Sequence, residues 1–178
     1  PNPPGAFSFA VLGDAPYDPL EAIQYRLVLR SMDAHDLSSV LHIGDIFWRP
    51  CTDEMYRRGL GWFNGLRHPV IYTPGDNEWC DCREPGSGGF APLGRLDRIR
   101  QIFFVDPALS LVGRRIPLAS QSVGGAFPEF VENARWAHGG ILFATLHLVG
   151  SRNAMKPFPG RAAADDAESA RRTEAAVA

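Results

Sequence analysis

Residues 72–79, Tyr-Thr-Pro-Gly-Asp-Asn-Glu-Trp, decide the fold predicted for this chain. The apolar run at 69–73 that leads into them indicates a buried strand, and the dipeptide Pro-Gly ends it. Asp76, Asn77 and Glu78 follow at once. Strand ends of α/β sheets open into the crevice where ligands bind, so these side chains are either metal ligands or turn formers.

Two other apolar runs also end in Gly-Asp. The run at 7–12 precedes Asp14, and the run at 39–43 precedes Asp45. With Asp76 they recur at intervals of about 30 residues, the length of a βαβ unit. Because parallel strands end at the same edge of a sheet, the three carboxylates are expected to converge there. Such an oxygen-rich cluster suits hard or borderline divalent cations.

Length and composition bound the function. A chain of 178 residues that is 45% hydrophobic fits a single domain, 1–178, with a real core. A net charge of −2 and the lack of a basic run predict no nucleic-acid-binding patch. No apolar run approaches transmembrane length, so no membrane span is expected.

Three cysteines leave alternatives open. Cys80 and Cys82 are too close in sequence to pair comfortably, so a bridge is expected from Cys51 to one of them, with Cys82 as the candidate partner. Such a bridge favours an oxidised, exported protein, periplasmic or extracellular. The alternatives are three free thiols in a cytosolic protein, or a zinc–thiolate site, which lacks a fourth ligand at a recognised spacing.

Periodicity predicts the remaining elements. Helices are expected over about 20–33, 52–66, 93–103 and 165–178, and a hairpin turns at Gly-Gly within 134–147. The first helix is expected to pack on the sheet through an apolar stripe: Leu20, Ile23, Leu27, Val28 and Met32. The histidine within the second strand, His42, is interpreted as a hydrogen-bonded core residue. His147 ends the hairpin's second strand and is a candidate ligand.

The order of these motifs resembles the calcineurin-like metallophosphoesterases. That family reads Asp-x-His, Gly-Asp, Gly-Asn-His-Asp/Glu, a strand-terminal His and finally Gly-His-x-His. Residues 6–155 carry the resemblance, and 156–178 form a loop and a terminal helix beyond it. The strings at 74–79, 132–136 and 146–151 are similar to a bacterial subgroup that is often exported. The resemblance implies an α/β fold, an αββα sandwich with mixed central sheets, and a phosphoester substrate.

Carried over position by position, the resemblance assigns roles to five residues. Asp45 would bridge two divalent ions (Mn, Fe or Zn), Asp14 would hold the first, and Asp76 and His147 the second. A hydroxide activated by these metals would attack phosphorus. Asn77 stands where the family has the histidine that protonates the leaving group, and an amide can only hydrogen-bond a phosphate oxygen. With a register shift of one residue, Asn77 would itself bind metal.

Two departures from the family pattern weaken the expected centre. Pro16 occupies the place of the first motif's histidine, with Tyr17 as a weak substitute, and no histidine follows His147 to form Gly-His-x-His. Each ion is therefore expected to lack a ligand, and metal occupancy to be partial. Either the chain is a fragment of a longer domain, or the site is degenerate. The alternative function is a catalytically impaired or truncated domain that acts as a binding module.

Asn133 and Asn153, like Asn77, are polar groups able to orient a phosphate or simply to form turns.

Overall fold

The structure, a computed structural model, describes residues 5–111 and 113–178. Its first sheet is parallel and contains β1 (Ala10–Leu12), β2 (Val40–His42) and β3 (Val70–Tyr72) in that order. The strands pair in register, so all three end at one edge. The predicted succession of βαβ units is therefore confirmed.

Three helices follow these strands, and the first two begin at side-chain caps. They are α1 (Pro19–Asp33), α2 (Asp53–Asn64) and α3 (Pro92–Phe103). The side chains of Asp18 and Thr52 accept hydrogen bonds from the backbone N–H three residues later, which satisfies one of the unpaired donors at each helix start.

The packing face of α1 differs from the predicted one. Its buried side chains are Ala22, Tyr25 and Leu29. Most of the predicted stripe faces outward, with exposures of 45–64% for Leu20, Ile23, Leu27 and Val28. Both sets have helical spacing, and the ring of Tyr25 decides between them: its centroid lies 5.3 Å from that of Trp62 and 6.4 Å from that of His42. An aromatic residue buries more apolar area than an aliphatic one, so its face turns inward.

The second sheet is antiparallel and contains β4 (Ala119–Ser120), β5 (Ala134–His138) and β6 (Ile141–Thr145) in that order. The two glycines between β5 and β6 both have positive φ, as a tight hairpin turn requires. The predicted hairpin is confirmed. Its second strand ends at residue 145, so His147 lies two residues beyond it.

The last part of the chain contains an unusual turn and a long helix. The short element α4 (Gly150–Asn153) and the residue after it include four consecutive residues with left-handed φ, of 52° to 63°, at 151–154. The final helix, α5 (Ala163–Val177), follows Ala162, whose backbone N–H donates to the Asp165 carboxylate at 2.9 Å. Its buried face carries no large apolar side chain and consists of Ser169, Arg172 and Ala175.

A disulfide joins Cys51 to Cys82, with their Cα atoms 5.6 Å apart, and Cys80 is a buried free thiol. The predicted bridge is confirmed. The zinc–thiolate alternative is wrong for this oxidised chain, because two of its three sulfurs are committed to each other. A disulfide is compatible with an exported protein. Within the described residues, none of the helices combines the length and apolar character needed to cross a bilayer.

Candidate metal centre

The three strand ends approach each other closely at the edge of the parallel sheet. The N–H of Asp14 donates to the carbonyl of Gly44 at 3.2 Å. A methyl group built on Gly44 would lie 2.2 Å from the backbone nitrogen of Gly75, so no side chain fits between the second and third strand ends. Asp14 and Asp45 both take left-handed φ, 58° and 57°, directly after their glycines. The repeated Gly-Asp pattern thus reflects backbone contact between neighbouring strand ends.

Asp45 lies at the centre of this edge. Its Oδ1 accepts the N–H of Asn77 at 3.1 Å. Burial raises the pKa of Asp45, and the negative charges of Asp76 and Asp14 raise it further, while the Asn77 hydrogen bond opposes the shift. The three carboxylates are therefore close enough to repel one another, which is the electrostatic condition that a bound cation relieves.

Tyr17 connects the first and third strand ends. Its hydroxyl donates to Asp14 Oδ1 at 3.2 Å and accepts from Asn77 Nδ2 at 3.3 Å. Burial raises the pKa of Tyr17, and the charges of Asp45 and Asp14 add to that effect. The phenol therefore remains a protonated donor between Asp14 and Asn77.

Glu78 stabilises the loop after β3 through three hydrogen bonds to its carboxylate. Its side chain is fully buried, and its carboxylate accepts the N–H of Ile46 at 2.9 Å, the hydroxyl of Tyr72 at 3.0 Å and the N–H of Gly75 at 3.2 Å. Burial and the neighbouring charge of Asp45 raise the pKa of Glu78. With its oxygens occupied, Glu78 fixes the loop that carries Asp76 and Asn77.

His147 presents one free ring nitrogen. Its side chain is fully buried, and its Nδ1 lies 2.7 Å from Glu132 Oε1. Its Nε2 has no hydrogen-bond partner among the described residues. Burial favours a higher pKa for Glu132, but the hydrogen bond from His147 Nδ1 and the charge and hydrogen bond of Arg100 outweigh it and lower that pKa to about 2. An ionised carboxylate at Nδ1 assigns the ring proton to that nitrogen, so Nε2 offers a lone pair, as in carboxylate–histidine–metal arrangements.

The amides of Asn133 and Asn153 are committed to internal hydrogen bonds. Asn133 Oδ1 accepts the N–H of His147 at 2.7 Å, and its Nδ2 donates to Gln121 at 2.8 Å. Asn153 Nδ2 donates to Thr173 Oγ1 at 3.0 Å. These two asparagines fix the backbone around His147 and do not point to phosphate binding.

Asp76 contributes to a second group that the sequence did not suggest. The ligand atoms of Asp76, Cys80 and Asp81 all lie within 4.8 Å of one another. Asp81 Oδ1 also accepts from Arg83 and from Ser151 Oγ, each at 3.0 Å. The sequence gives no signal for this group, because a cysteine with neighbouring carboxylates has no recognised metal-binding spacing.

The predicted residues come together incompletely. Asp14, Asp45, Asp76 and Asn77 lie along one edge of the parallel sheet. Among the described residues, only Asp76, Cys80 and Asp81 have three ligand atoms that all lie within 4.8 Å of one another. The predicted carboxylates and His147 do not form a group that close.

His147 reaches the edge through its neighbours. Its ring centroid lies 5.6 Å from that of Trp79, and a methyl group built on Gly150 would lie 2.3 Å from Asp76 Oδ2. Carboxylate oxygens with one imidazole form a donor set that fits Mn, Fe or Zn.

Comparisons of the chain with family models, with curated proteins and with solved structures found no match.

Proposed function

We propose that this chain is a metal-dependent phosphoester hydrolase with the αββα arrangement of the calcineurin-like metallophosphoesterases. The observation that carries the proposal is His147, whose buried Nε2 is unpartnered among the described residues while its Nδ1 contacts Glu132. An unsatisfied buried polar atom is costly, and metal coordination accounts for it. The mutually repelling carboxylates at the parallel sheet's edge supply the oxygen ligands.

The residues that would hold the metals are those of the motif resemblance. Asp14 and Asp45 would hold one ion, and Asp45, Asp76 or Asn77, and His147 the other. Bound there, divalent ions lower the pKa of a coordinated water and neutralise phosphoryl oxygens. The chain's own groups position the ligands: Tyr17 holds Asp14, and the Asn77 N–H holds Asp45.

The second candidate function is a binding module with impaired catalysis. It is favoured by Tyr17, whose hydroxyl lies between Asp14 and Asn77 where the family places histidine ligands and acids. A neutral phenol is a poor metal ligand and a poor proton donor at neutral pH. On this alternative the crevice binds metal or a phosphorylated ligand without hydrolysing it.

Metal content and phosphate release separate the two functions. Wild type and Asp45→Asn are loaded with manganese, freed of excess metal and measured by elemental analysis and by hydrolysis of a generic aryl phosphate. Asp36→Asn, in an exposed position, is the matched control. We expect wild type and the control to retain manganese and to hydrolyse the ester, and Asp45→Asn to lose both. Bound metal without hydrolysis supports the binding module, and equal metal in all three proteins overturns the assignment of Asp45.

A further inference from the structure

Arg172 of α5 is a fully buried cation whose hydrogen bonds reach the candidate metal centre. Its Nε donates to Glu168 Oε1 at 2.9 Å. Its Nη1 donates to the carbonyl of His147 at 3.3 Å and also to Asn153 Oδ1, and its Nη2 donates to the carbonyl of Asn153 at 2.9 Å. Three of these four bonds go to the segment that begins at His147.

The guanidinium also contacts the loop that carries Asp76. Its central carbon lies 5.3 Å from the ring centroid of Trp79, and that ring lies 5.6 Å from the ring of His147. Arg172 therefore touches both chain segments that supply ligands to the second metal position.

The chemistry of arginine explains why position 172 carries this residue and not a small apolar one. Burying a cation carries a desolvation cost that a small apolar side chain avoids, so docking α5 alone does not require Arg172. The planar guanidinium holds its donors in a fixed geometry, so it binds the carbonyls of His147 and Asn153 together more rigidly than a flexible lysine would. Asn153 belongs to the left-handed stretch 151–154, a backbone conformation that ordinary residues resist.

We propose that Arg172 is a positioning residue of the metal centre, which holds His147 and the 150–154 turn against Asp76. This inference rests on the proposed function, and it assigns the terminal helix a role that the motif resemblance does not cover. The segment it holds includes Gly150, which abuts Asp76.

The test compares Mn²⁺ affinity in four variants of the full chain. Arg172→Ala removes the fork, and Arg172→Lys keeps the charge. Arg171→Ala is the matched control, since Arg171 is its half-exposed neighbour and pairs with Glu129 and Glu174. Ala175→Gly loosens the buried face of α5 without touching His147 or Asn153. Affinity is measured by Mn²⁺ titration, and amide hydrogen exchange over residues 147–154 reports the turn.

We expect Arg172→Ala to weaken Mn²⁺ binding by about 10–100-fold, the range seen when a supporting residue of a metal ligand is removed. Arg172→Lys should fall between Arg172→Ala and wild type, and added guanidinium should restore part of the affinity of Arg172→Ala. Exchange at 147–154 should accelerate in Arg172→Ala. Arg171→Ala and Ala175→Gly should bind Mn²⁺ as wild type does, although Ala175→Gly should be less stable.

The proposed function and the positioning role of Arg172 would be contradicted by different results. If wild type does not bind Mn²⁺, the proposed function falls and this inference falls with it. If wild type binds and folded Arg172→Ala binds equally well, the positioning role alone is overturned. Should Arg172→Ala not fold, unchanged affinity in folded Arg172→Lys overturns it in the same way. An equal loss of affinity in Ala175→Gly would show that Arg172 acts only by docking the helix.

Discussion

Nδ1 of His147 and Oε1 of Glu132 lie 2.7 Å apart, and both side chains are completely excluded from solvent. The same Oε1 accepts from Arg100 Nη2 at 2.8 Å, so one oxygen joins an imidazole and a guanidinium. These residues come from the segments before β5, after β6 and within α3. The contact therefore connects the antiparallel sheet to α3 beside the unpartnered Nε2 of His147.

Replacing Glu132 by Gln is expected to weaken metal binding about 10–100-fold, because a neutral amide oxygen accepts the His147 Nδ1–H more weakly than a carboxylate and holds the ring less firmly. It should also lower the free energy of unfolding by about 3–5 kcal/mol, since Arg100 loses its buried partner. Mn²⁺ titration and urea denaturation measure the two effects. The control is Glu129→Gln, whose pair with Arg171 is half exposed and therefore contributes little to stability. Equal behaviour of the two variants would contradict the role of Glu132.

Gly75→Ala is expected to displace Asp45, because the added methyl group would lie 2.0 Å from its Oδ1. The methyl group would also lie 2.7 Å from the backbone nitrogen of Asp45, so we expect a loss of stability of about 1–3 kcal/mol, typical of overpacking, together with loss of bound metal. Thermal denaturation and elemental analysis measure these changes.

Gly61→Ala provides the matched control, since it lies inside α2 and an added methyl group meets nothing within 4 Å. It should raise stability by about 0.5–1 kcal/mol through helix propensity and leave metal content unchanged. A stable, metal-replete Gly75→Ala protein would show that the strand ends are less crowded than the structure indicates.

Acid should destabilise the protein partly through His42. Burial lowers the pKa of His42 to about 3, so between an unfolded-state pKa near 6.5 and pH about 3 the unfolded chain binds a proton that the folded chain does not. The contribution of neutral His42 to the free energy of unfolding is complete above the pKa of His42 in the unfolded chain. It falls as the pH drops below that value, by up to about 1.4 kcal/mol per pH unit.

His42→Asn should remove that component of the pH dependence, because an amide oxygen can accept the Gly44 N–H that Nδ1 now accepts and does not titrate. Urea denaturation at several pH values below 7 measures the slope. His35→Asn is the control, since His35 is exposed and its variant should keep the wild-type slope. An identical slope in wild type and His42→Asn would refute the prediction.

Reduction of the disulfide is expected to loosen the loop that carries Asn77. The bridge closes a sequence separation of 31 residues, so its loss should lower the free energy of unfolding by about 2–4 kcal/mol. Both sulfurs lie against the carbonyl of Asn77, at 3.3 and 3.5 Å, so metal affinity should fall as well. The double variant Cys51→Ala, Cys82→Ala should show the same losses and no further response to reductant. Cys80→Ala should keep the response, and its absence there would contradict the assigned pairing.

The sequence predicts what depends on local pattern and strand order. Apolar runs that end in Gly-Asp locate the edge of the parallel sheet, and the Gly-Gly turn locates the hairpin. The packing face of α1 is not predictable in this way, because both Leu20–Val28 and Ala22–Leu29 have helical spacing. Only the tertiary neighbours of Tyr25, namely Trp62 and His42, distinguish the two faces.

The supporting residues of the site are also beyond sequence pattern. Glu132 and Arg172 lie 15 and 25 residues from His147 along the chain, and neither interval is a motif spacing. Arg172 in particular sits in an Ala-rich helix with charges on several faces, where periodicity does not distinguish a buried arginine from a solvated one. Their roles follow from packing between elements that are distant in sequence.

The left-handed stretch at 151–154 has a consequence for the order in which the protein folds. Each non-glycine residue in that conformation costs about 1–2 kcal/mol, so the turn is not expected to exist in a peptide of its own sequence. Its compensating contacts come from α5, the last helix of the chain. We therefore expect the turn at 151–154 to become ordered only once α5 has docked against it.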